Sequence, residues 1–121
     1  MAEQLATLNK DSGEVYSTDE KIVGTWLGKP LYQKTYDCGA LLNNAGKIVP
    51  YNVSNLKNVV AMNGFTTNGT DILMLPHISN VGLQYQVSIS ATANGIYLVT
   101  GNDRTSFTTT YVTIRYTKTT D

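Results

Sequence analysis

One cysteine, one histidine, one tryptophan and three prolines are all that this 121-residue sequence offers of those types. Cys38 has no partner for an internal disulfide, and no second His or Cys stands at zinc-ligand spacing from it or from His77. Net charge is missing too: nine Lys and Arg balance nine Asp and Glu, which removes any global attraction to nucleic acid or to an anionic membrane. No uninterrupted apolar run approaches the roughly 20 residues needed to cross a bilayer, and the opening "MAEQLATLNKDSGEVYSTDE" lacks the apolar core of a signal peptide. The expectation is a single soluble domain made in the cytoplasm, without metal, cofactor, nucleic-acid partner or membrane insertion.

Catalytic patterns are equally sparse. His77 in "LPHIS" has no nucleophile motif around it, and Cys38 in "YDCGA" lacks the His and Asn or Asp context of a thiol nucleophile, so it reads as a small packing residue. The acids Asp19, Glu20, Asp37, Asp71 and Asp103 are scattered through turns, and nothing marks two of them as a glycosidase pair. The sequence therefore predicts no enzyme. Two glycosylation patterns, "NVS" at Asn52 and "NGT" at Asn68, are read as fortuitous because no signal peptide accompanies them.

What the chain does contain is strand and turn chemistry. Only 15% of its residues are charged and 41% are hydrophobic, while Thr, Asn, Gly and Ser fill much of the rest. Threonine favours pleated surfaces and Asn and Gly favour the turns between them, so the class is all-β. Residues 1–20 are polar, with at most a short helical patch at Ala2–Leu8, and read as a connecting or docking segment before a domain spanning 21–121.

From Lys21 the run "KIVGTWLGKPLYQKTY" reads as a hairpin turning at Gly28 and Lys29, with Pro30 placed where a ladder donor can be spared. Residues 38–58 break repeatedly, leaving a short strand around Ile48–Val53. Residues 59–67 and 71–79 are two further strand candidates. In "VGLQYQVSISATANGIYLVT" the residues Leu83, Tyr85, Val87, Ile89 and Ala91 alternate with polar ones, one dry face and one wet. Asn94 and Gly95 suit a type I′ turn that pairs Ala93 with Ile96 and Ala91 with Leu98. The closing strand sets Val112, Ile114 and Tyr116 on a core face and Tyr111, Thr113, Arg115 and Thr117 on the other. The predicted core is Leu83, Tyr85, Val87, Ile89, Leu98, Val112 and Ile114. Many short strands without a long helix predict an antiparallel β-sandwich or jelly-roll-like domain.

Two features on this scaffold invite a ligand. "GNDR" reads either as an Asx-type turn closed by Asp103 or as a ligand-facing loop of Asn102, Asp103 and Arg104. The outer face of the last strand presents Tyr111 beside Arg115, a surface suited to sugars, peptides or a neighbouring subunit.

The segments "VYSTDEKIVGTWLGKPLYQKTY" and "IYLVTGNDRTSFTTTYVTIRYTKT" resemble the opening and closing blocks of small β domains from bacteriophage and prophage tail-fibre or other virion-appendage proteins. Glu20, Gly24, Trp26 and Gly28 to Tyr32 carry the resemblance in the first block. In the second it rests on Thr100, Gly101, Asp103, Arg104, Tyr111 to Thr113 and Tyr116 to Lys118. Relatives often carry an acid before the Gly28-Lys29 pair, and its absence here implies a shorter or tighter hairpin. The resemblance implies a virion part, often a homotrimer joined to other virion proteins, that adheres to a host surface glycan. In such an assembly, the Tyr111 face would contribute to the trimer. The alternative is a generic carbohydrate-binding or protein-interaction module of a cellular protein, with a hydrolase a distant third.

Overall fold

The computed structural model describes residues 15–121, so the expected helical patch at Ala2–Leu8 lies outside the described residues. Eight strands follow in chain order: β1 (Lys21–Trp26), β2 (Lys29–Asp37), β3 (Gly46–Pro50), β4 (Leu56–Thr67), β5 (Ile72–Leu75), β6 (Val87–Ala91), β7 (Gly95–Thr100) and β8 (Thr109–Lys118). They form two antiparallel sheets, ordered β1-β2-β8-β4-β5 and β3-β7-β6, packed as a sandwich. The all-β sandwich expected from composition is the observed architecture.

The closing strand is the centre of the larger sheet, because β8 pairs with β2 on one side and β4 on the other. Its alternation works as expected over Tyr111–Tyr116, where Val112, Ile114 and Tyr116 have no solvent exposure, but Thr117, expected on the wet face, is buried as well. Opposite them, Val87, Ile96 and Leu98 come from the smaller sheet, and Tyr36, Leu41, Tyr51 and Phe107 complete the core. Apolar side chains from two facing sheets supply the main driving force for the fold.

The first hairpin forms, but its two-residue turn is Leu27-Gly28, one position earlier than expected, with Trp26 opposite Lys29. Both turn residues have positive φ, 49° at Leu27 and 82° at Gly28, which is the requirement of a turn that follows the strand twist. Leucine accepts this backbone at a steric cost, because its side chain there is almost fully solvated.

The β6–β7 hairpin also exists, with a different register. Ala91 pairs with Ile96 and Ile89 with Leu98, two residues from the expected pairing. A shift of two keeps every side chain on its face, so the core pattern survives. The cause is Thr92: its N–H donates to the Gly95 carbonyl at 2.9 Å, and its hydroxyl accepts from the N–H groups of Asn94 and Gly95. The turn therefore closes around Ala93 and Asn94, neither at positive φ, and Gly95 begins the strand. Gly95 ends this turn at φ 157°, and a Cβ there would sit 2.3 Å from the Val49 carbonyl oxygen, so the position needs glycine both for its backbone and for close strand approach.

Leu83 and Tyr85 are not core residues. They lie in a single 3₁₀ turn, Leu83–Tyr85, and Leu83 is 79% exposed. In the β6–β7 register a strand extended back to Leu83 would need residues 102–104 as its partner. That stretch is held instead by the loop before β3, through Asn44 N–H to Asn102 O at 2.8 Å and Arg104 N–H to Leu42 O at 3.0 Å. Without a partner strand, the alternating pattern does not become a strand. Ile89 packs partly buried against the core, as Val87 does fully.

Candidate functional site

The outward side chains of the five-stranded sheet fall into register across three central strands. Arg115 stands between Gln33 and Ala61, Thr113 between Thr35 and Asn63, and Tyr111 between Asp37 and Phe65. Phe65 is in turn paired with Met74 of the edge strand β5. The result is a face with an aromatic end and a polar end. The rings of Phe65 and Tyr111 contact each other at 5.9 Å between centroids, inclined by 34°. The hydroxyls of Thr35 and Thr113 are hydrogen-bonded at 2.8 Å.

The chain preceding β1 closes one side of this face. The Ser17 carbonyl accepts from the Thr35 N–H at 2.8 Å, and the Val15 carbonyl accepts from the Gln33 side-chain amide at 3.0 Å. Val15 and Ser17 thus dock on β2, and Tyr16 between them becomes a wall. Between Tyr16 and Met74 runs a groove of about 570 Å³ floored by Phe65 and Tyr111. Both walls are well exposed to solvent. A smaller recess of about 220 Å³ adjoins it at Tyr16, Asn63 and Thr113 and is bounded by Arg115 and Gln33.

Of the five residues singled out in the sequence, the structure brings Tyr111 and Arg115 onto this face. Asn102, Asp103 and Arg104 lie elsewhere, in the β7–β8 connection. The Asp103 carboxylate accepts from the Thr105 hydroxyl at 2.7 Å and the Thr105 N–H at 3.0 Å, and these bonds hold its pKa below the usual range. Arg104 donates to the Tyr85 carbonyl at 2.6 Å and lies 5.5 Å from the Phe107 ring. The loop thereby ties the 3₁₀ turn to the loop before β3. Phe65, Asn63, Met74 and Tyr16 went unmarked in the sequence. Their usable signal was the odd-numbered alternation of Ala61, Asn63 and Phe65, which matches that of Tyr111, Thr113 and Arg115.

The nucleophile candidates do not meet. Burial pushes the Cys38 thiol up to about 11, and its S–H points to the Tyr36 carbonyl at 3.6 Å, so the thiol is protonated near neutral pH. His77 is joined to Val87 by two backbone hydrogen bonds at the end of the sandwich. Among the described residues no three His, Cys, Asp or Glu gather at a metal-binding geometry, and no helix is long and apolar enough to cross a membrane. In comparisons with known proteins, no family model, no curated protein and no solved structure matches the chain.

Proposed function

We propose that this chain is a non-enzymatic recognition domain of a phage virion appendage, and that its groove binds a host surface glycan. The groove carries the reading. A sugar has an apolar face and an equatorial belt of hydroxyls. An aromatic floor bordered by Thr, Asn and amide groups supplies partners for both. Its floor, Phe65 and Tyr111, lies on the central strands of a sheet, which limits the ordering cost of binding. The assignment to a virion rests on the resemblance of the first and last blocks to appendage domains. Binding of the purified chain to an array of bacterial surface glycans tests the reading, and a chain that retains no glycan of any class contradicts it.

The same proposal includes self-association, with a surface different from the Tyr111 face. Residues 72–102 contain no Asp, Glu, Lys or Arg, and they supply the edge strands β5 and β6 on one side of the sandwich. Between them, the loop closed by the His77–Val87 bridge exposes Ile78, Val81, Leu83 and Tyr85. Soluble chains guard open edges with charge, and the 72–102 stretch has none of its own; Arg104, bonded to the Tyr85 carbonyl, stands at its margin. A second copy meeting the uncharged stretch satisfies it without burying a charge from that stretch. Three copies, the number implied by the family resemblance, would place three grooves on one tip and raise a weak sugar affinity by avidity.

A further inference from the structure

The recess beside the groove contains the Arg115 cation, and no described residue sets an anion against it. The Arg115 Nε donates to the Gln33 side-chain carbonyl at 2.8 Å. Gln33 is 2% exposed and its amide nitrogen is fixed on the Val15 carbonyl, so the plane of the guanidinium is set from behind. Among the described residues no carboxylate lies within ion-pair distance of Arg115; the ion pair of this sheet is Lys118 with Glu20. Asp37, the acid that β2 carries opposite Tyr111, is four residues further along β8 and accepts from the Gly39 N–H. The outer nitrogens of Arg115 are left for another partner.

The space in front of them is also built. The β4–β8 ladder skips between Val59, opposite Tyr116, and Ala61, opposite Arg115. A regular ladder would set Val60 against the guanidinium. The bulge sets alanine there instead, and the recess opens where a branched side chain would have stood.

We propose that this recess takes the anionic substituent, a carboxylate or a phosphate, of an acidic glycan whose sugar ring occupies the adjoining groove. The inference rests on the groove reading above and specifies the ligand class. An arginine fork held in one plane matches two oxygens of either anion, and Asn63 and Thr113 stand between the recess and the groove where a ring hydroxyl would pass. Charge-assisted bonds at a partly enclosed site carry more selectivity than the neutral bonds around them.

The test uses the full chain and a panel of neutral methyl hexosides and N-acetylhexosaminides, each beside its hexuronate and 6-phosphate counterpart. Binding is followed by NMR on groove amides and on the Arg115 Nε–H. At least one acidic sugar should bind roughly tenfold tighter than its neutral parent at low salt and shift the Arg115 resonance. Arg115→Gln should abolish that preference. Ala61→Glu, an exposed position that places a carboxylate opposite Arg115, should do the same and serves if Arg115→Gln fails to fold. Equal binding of acidic and neutral forms, or a preference that survives both variants, overturns the proposal while leaving the groove reading intact. If no sugar of either kind moves the groove, both readings fall. The carboxylate and phosphate arms identify which source supplies the charge.

Discussion

The hydroxyl of Tyr116 donates to the carboxylate of Glu20 at 2.5 Å, joining the last strand to the residue just before the first. Lys118 donates to the other oxygen of the same carboxylate at 2.8 Å and lies over the Tyr32 ring. Burial works to raise the Glu20 pKa, but the bonds from Lys118 and Tyr116, with the charge of Lys118, outweigh it and hold the carboxyl below its ordinary value. A carboxylate lowered on folding stabilises the fold above its unfolded pKa, and that contribution is lost as pH falls through the lowered value. Glu20→Gln should therefore be less stable than the parent at neutral pH, with the difference closing in acid. Denaturant midpoints at pH 7 and at pH 3 check this; a gap that widens in acid would contradict it.

Leu27 holds a left-handed backbone with its side chain in solvent. Asparagine tolerates that conformation and leucine resists it. Leu27→Asn should stabilise the domain by about 1 kcal/mol, raising Tm by roughly 4 °C. Calorimetry of the two chains decides it, and an unchanged or lower Tm would show that the turn is not strained.

Core and surface should respond differently to the same truncation. Ile114→Ala removes a side chain with no exposure and should cost about 2–5 kcal/mol. Leu83→Ala removes one that touches little and should stay within about 0.5 kcal/mol. Equal losses in urea unfolding would mean that Leu83 is packed.

These contrasts show where a sequence is legible. The faces of β8 could be read directly, because alternation over Tyr111–Tyr116 needs no knowledge of the partner strands. The β6–β7 register lies two residues from the one an Asn94-Gly95 turn implies, because the Thr92 hydroxyl closes the turn. Leu83 and Tyr85 continued the alternation perfectly well and still left the sheet, since the stretch that would have paired with them is bonded to Leu42 and Asn44. The groove was only half legible: Tyr111 and Arg115 share one strand, but Phe65 reaches Tyr111 only through the β4–β8 ladder, and the bulge before Ala61 decides which residues of β4 face outward.

Self-association through the uncharged loop predicts a separable defect. Val81→Lys with Leu83→Glu introduces charge at two solvated positions and should leave Tm within a few degrees while shifting the chain to monomer. Sedimentation velocity over a concentration series reads this. A parent chain that stays monomeric across the series, or a variant that associates as the parent does, would remove the loop from the interface.

The account stands on the groove over Phe65 and Tyr111, and glycan binding by the parent chain beside Tyr111→Ala tests it most directly. On an array of bacterial surface glycans the parent should retain a defined subset, and Tyr111→Ala, shown by its Tm to be folded, should lose affinity for that subset by roughly tenfold or more. Undiminished binding by the folded variant would contradict the assignment of the groove.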